Sequence, residues 1–129
     1  MQLLGTSCEW RRTGFDWSWG TDGIPRFMNI NLTIINNDRE LRRHITCVEE
    51  SDFPVIDFSK YTLLLARGSA SSYPSRLHFI DLQQHSSRNY VMNVVVSVGG
   101  STIVSYWHVA IVTDKLDSNA RVRLNVTNP

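Results

Sequence analysis

Four histidines, two cysteines and a scatter of carboxylates are the residues of this chain that could ligate a metal or move a proton. The histidines are His44, His78, His85 and His108. No two stand four apart on a helical face, as the ligands of a zinc protease do, and no Cys or Glu beside them completes a ligand set. His108 lies in a stretch that is apolar on both sides, so it is expected to be a hydrogen-bonded core histidine. The 12 carboxylates include one run, Glu49, Glu50 and Asp52, and single residues such as Asp57, Asp81, Asp114 and Asp117. Paired acid–base chemistry needs two carboxylates held at a fixed separation on rigid elements, and a run in a linker does not supply that. The nucleophile elbow G-x-S-x-G, the P-loop and G-x-G-x-x-G do not occur in the sequence. The expectation is a protein that is not an enzyme, with no catalytic residues, no metal and no cofactor.

Cys8 and Cys47 lack the C-x-x-C spacing of zinc and redox sites. Three readings are open. They are two separate thiols with Cys47 in the core, one Cys8–Cys47 disulfide in an exported protein, or lipidation of Cys8. The third rests on residues 1–8, MQLLGTSC, which resemble the tail of a bacterial lipoprotein signal peptide, where leucines and small residues precede the lipid-bearing cysteine. That reading makes the chain an exported lipoprotein of the periplasm or outer membrane, touching the membrane only through its lipid. A net charge of +1, with arginines scattered rather than clustered, gives no pull toward nucleic acid. No apolar run approaches the roughly 18 residues that a membrane helix needs.

The elements that would position a site are strands. A length of 129 residues fits one domain, divided here into an N-terminal tether and aromatic arm (1–26) and a β-rich domain (27–129). In the arm, Trp10, Trp17 and Trp19 alternate with Gly14, Gly20, Gly23 and Pro25, a density of breakers that predicts irregular structure. From Phe27 to Asn36 apolar and polar residues alternate, which is a strand with one wet face. Asn37 with Glu40 forms a capping-box-like start, and Leu41 and Ile45 share a face, so a short helix is expected over 38–46. Tyr61 to Arg67 is apolar on both faces, as is 102–113, which predicts strands covered on each side. Leu77 to Gln83, Tyr90 to Val98 and Arg121 to Val126 are further strands. Ser86 to Asn89 is a turn, and Gly99-Gly100 predicts a hairpin. The fold class is mainly β (α+β), an antiparallel β-sandwich or curled partial barrel of about six strands with one short helix.

Two loops and the arm are the candidate contact surfaces. Gly68 to Ser75 carries Ser72 and Tyr73, with Tyr73 as an aromatic anchor, and the acidic linker carries Glu49, Glu50 and Asp52. Loops carry most binding on rigid β scaffolds. The tryptophans of the arm have two readings, stacking on sugar rings or folding over a bare sheet face.

The run INNDRELRRHI, the acidic linker and FPVIDFSKYTLLLARG, with Asp57, Phe58, Ser59 and Lys60 opening an apolar strand that ends at Gly68, resembles the PrcB-type domain. That domain is found on accessory subunits of a bacterial protease complex and in small exported proteins. The order of elements is closer still to small lipoproteins of Gram-negative gut bacteria. The PrcB-type pattern continues with a Gly-Tyr pair, where this chain has Ser72-Tyr73. The resemblance implies a β-rich fold, a protein-binding or protein-stabilising role beside an envelope protein or protease, and no catalytic residues. The alternative is a carbohydrate-binding module that uses the tryptophan arm.

Overall fold

Alternating runs and runs apolar on both faces alike become extended chain, with a strand among the described residues at each of the six expected places. The computed structural model describes residues 1–11, 27–70, 76–97 and 105–127. In chain order the elements are β1 (Gln2–Leu3), β2 (Glu9–Trp10), β3 (Phe27–Ile35), α1 (Asp38–His44), β4 (Ile45–Thr46), a 3-10 turn (Glu50–Asp52), β5 (Tyr61–Ala70), β6 (Arg76–Ser86), β7 (Asn89–Ser97), β8 (Ser105–Asp114) and β9 (Arg121–Thr127). The main sheet has the order β1-β8-β5-β3, a second sheet has β6-β7-β9, and β2 pairs with β4 in a small ribbon. Among the described residues no sheet closes into a barrel, so the sandwich reading holds.

The main sheet is covered on both faces, as its unbroken apolar runs require. Leu64 and Ala66 of β5, with Trp107, Val109 and Ile111 of β8, meet Met92, Val94 and Val96 of β7. Leu63 and Leu65 of β5, with Ala110 of β8, pack against Trp10, Leu41 and Ile45 on the opposite side. Side chains alternate sides along a strand, so one run of leucines serves two cores. Burying one leucine contributes roughly 1.5–3 kcal/mol. Buried Thr62 joins the layers at one end, donating to Asn36 Oδ1 (2.8 Å) and accepting from the Leu116 N–H (3.1 Å).

The helix starts where its cap predicts. Asn37 Oδ1 accepts from the Glu40 N–H at 2.8 Å, and Glu40 Oε2 reaches back to the Asn36 N–H at 3.2 Å, one residue before the cap. It stops two residues early, because Ile45 is extended (φ −136°, ψ 143°). Ile45 and Thr46 are β-branched and pair as β4 with Trp10 and Glu9.

Four other expectations are corrected. The expected tether of residues 1–26 does not begin as a free arm. Gln2 and Leu3 pair with Val112 and Ile111, and Trp10 is in the core. Residues 12–26, with Trp17 and Trp19, lie outside the described residues. Gly68 is not the start of a loop, since β5 runs through it to Ala70. Gly99-Gly100 lies outside the described residues, and the strands on either side, β7 and β8, do not pair as the expected hairpin, because they belong to different sheets; β6 and β7 do form one, through the two residues after Ser86. The sandwich is also not wholly antiparallel. The chain leaves β7, lays β8 into the main sheet and returns to place β9 parallel to β7.

Candidate functional site

The two cysteines meet because of strand register. Glu9 stands opposite Thr46 and Trp10 opposite Ile45, so one step further along the ribbon Cys8 faces Cys47. They form a disulfide with a Cα–Cα distance of 4.6 Å, closing 39 residues of chain. This corrects the lipidation of Cys8: a sulfur bonded to Cys47 has no valence left for a lipid thioether.

The acidic linker is a helix brace rather than a converging site. Glu50 holds Arg42 with two hydrogen bonds, at 2.5 and 3.1 Å, and the guanidinium lies 4.0 Å from the centroid of the Phe53 ring. The bond from Arg42 holds the Glu50 carboxyl below its usual value, and the bond to Glu50 raises Arg42. Both groups are exposed, and such pairs contribute little to stability. Glu49 and Asp52 point to solvent. Gly68, the other end of the expected partner loop, is buried. Ser72 and Tyr73 lie outside the described residues.

Trp10, the one described member of the aromatic arm, is 8% exposed and packs in the core, because β2 presses it over Leu63 and Leu65. One edge still meets His108, with ring centroids 5.9 Å apart. His108 itself is exposed rather than a core residue. It shares the helix-side face of the main sheet with Leu63 and Leu65, and the covering layer ends at Trp10. Beside the pair opens a cleft of about 530 Å³ lined by Trp10, Arg11, Arg67, Tyr106 and His108. Arg67 is 7% exposed and donates to the Arg11 carbonyl at 3.2 Å. Burial lowers the Arg67 pKa. Burial, and next the charge of Arg67, push His44 below its ordinary value, and His44 Nδ1 is buried without a hydrogen-bond partner among the described residues. No group of three or more His, Cys, Asp and Glu able to hold a metal occurs among the described residues.

A second surface, absent from the reading of the sequence, is the outer face of the β6-β7-β9 sheet. Register places Phe79, Val95 and Thr127 in one row, and Asp81, Asn93 and Asn125 in the next. The second row is hydrogen-bonded across three strands. Asn93 Nδ2 donates to Asp81 Oδ1 (2.8 Å), and Asn125 Nδ2 donates to Asn93 Oδ1 (3.0 Å). Gln83 Nε2 adds a bond to Asp81 Oδ2 at 3.3 Å. Phe79 is 54% exposed, and a bulge at His78 turns it to this face, with His78 Nε2 bonded to Ser97 Oγ. The signal was in the sequence, as Asn93 and Asn125 at outward positions of apolar strands. Only the register, however, shows that they share a row with Asp81. Compared with family models, with curated proteins and with solved structures, the chain matches none.

Proposed function

We propose that this chain is an exported binding module that works without catalysis, held at the cell envelope by a partner protein there. The observation that carries the reading is the Cys8–Cys47 disulfide. Such bonds persist in oxidising compartments and are kept reduced in the cytosol of most cells. Because Cys8 is engaged by Cys47, the association with the envelope runs through the partner rather than through a lipid on that sulfur. The PrcB-type resemblance supports a protein partner such as a protease subunit, with Tyr73 and Ser72 as the loop residues to test.

The chain is to be expressed with and without an export signal, and its thiols counted by alkylation and mass spectrometry. Exported protein is expected to show no free thiol and to retain its partner on cross-linking, while Tyr73→Ala folds normally and loses that partner. A folded exported protein with two free thiols sinks the reading. A second reading, a carbohydrate partner, is favoured by the hydrogen-bonded row on the outer sheet face.

A further inference from the structure

We propose that the outer face of the β6-β7-β9 sheet binds a neutral glycan, with Phe79 as the stacking platform and Asp81, Asn93 and Asn125 as the row that engages sugar hydroxyls. This rests on the reading of the chain as an exported binding module and takes its carbohydrate branch, at a surface other than the tryptophan arm.

Three features of the face point to a sugar. The first is the exposed ring of Phe79, two residues and about 7 Å along the strand from Asp81. A pyranose has an apolar C–H face that packs on an aromatic ring and a rim of hydroxyls at about that distance. The second is the fixed carboxylate. Both oxygens of Asp81 are oriented by amides, Oδ1 by Asn93 and Oδ2 by Gln83, and Asp81 makes no ion pair among the described residues. An ionised carboxylate only accepts, with room for further donors on each oxygen, so two neighbouring hydroxyls can donate to it. The third is the alternation along the row. Asn125 spends one N–H on Asn93 and keeps its own carbonyl and a second N–H. A hydroxyl both donates and accepts, and a row offering both suits it.

The same features select against other occupants. The Asp81 carboxylate, on the edge strand β6, repels a phosphate or uronate at its end of the row, and the guanidinium of Arg123 stands in the next row at the opposite edge, on β9. A protein interface centres on an apolar patch with a polar rim, whereas here the polar row is central and the exposed ring is one row away. The network is set before any ligand arrives, across three paired strands, so little side-chain ordering is left for binding to supply.

The test is affinity gel electrophoresis of the whole chain in gels containing β-glucan, xylan, galactomannan or starch, with polygalacturonate as the anionic comparison. The expected result is retardation in at least one neutral gel, with affinity falling at least tenfold in both Phe79→Ala and Asp81→Asn. Tyr61→Ala, which removes an exposed ring from the main sheet, is expected to bind as the parent chain does. Asp81→Asn has the same shape as the parent and keeps the test valid if circular dichroism shows that Phe79→Ala disturbs the fold. Retardation in no neutral gel, retardation by polygalacturonate alone, or unchanged binding by both variants overturns the inference. If the neutral gels fail while a protein partner is captured through Tyr73, the glycan site falls and the binding module stands. If neither partner is found, both fall.

Discussion

The indole of Trp107 lies across the α-carbon of Gly68, its cross-strand partner in register, so closely that a methyl group added there would sit 2.8 Å from Cζ2. The ring is held between two sheets and cannot swing away without opening the core. Gly68→Ala is therefore expected to destabilise the domain by about 1–3 kcal/mol, the usual cost of overpacking. Urea unfolding followed by circular dichroism measures it, and an unchanged midpoint would mean that the ring has room to move.

The disulfide joins the first residues of the chain to the strand after the helix. Replacing both Cys8 and Cys47 by serine removes a constraint on 39 residues, and a loss of about 2–4 kcal/mol is expected. The parent protein, with both cysteines in place, should carry no acyl group on Cys8 when analysed intact by mass spectrometry. A lipid mass at that residue would refute the paired state.

His44 gives the fold a pH dependence of defined sign. Its folded pKa lies below the ordinary 6.5, through burial first and the charges of Arg67, Arg43 and Arg11 after it, with Glu40 opposing. The unfolded chain takes up this proton more readily than the folded protein. The stability due to neutral His44 is thus fully present above about pH 6.5 and is lost as pH falls below that value toward the folded pKa. The urea midpoint should decline from about pH 7 to about pH 5, and His44→Gln should flatten that decline. A slope identical in the two proteins would assign it to other groups.

The helix offers the simplest check of a local signal. Asn37→Ala removes the acceptor for the Glu40 N–H, and a loss of about 1 kcal/mol is expected. Thermal melts of the two proteins decide it.

Local features of this kind were legible in advance. The cap at Asn37, the alternation in β3 and β9 and the double-sided runs of β5 and β8 depend on neighbours a few residues away, and they appear where the sequence put them. Features that depend on long-range pairing were not legible. Gly68 resembled the start of a loop because its reason for being glycine, Trp107, is far along the chain. Gly99-Gly100 carried a strong hairpin signal, yet no local rule tells which sheet the next strand will join. The sequence around Cys8 and Cys47 fits three readings, because only the β2–β4 register sets the two residues opposite each other. The Asp81, Asn93 and Asn125 row likewise needed three strands in register, one of them parallel.

That parallel strand has a consequence for how the molecule is made. While the chain is being synthesised, the β6–β7 hairpin can form early, but its β7 edge stays bare. It remains so until β8 has been placed in the other sheet and Thr127 has followed. Non-local pairing of this sort is slow, and an uncovered strand edge is a template for aggregation. Until β9 pairs with it, the β7 edge is the part of this sheet open to pairing with another chain.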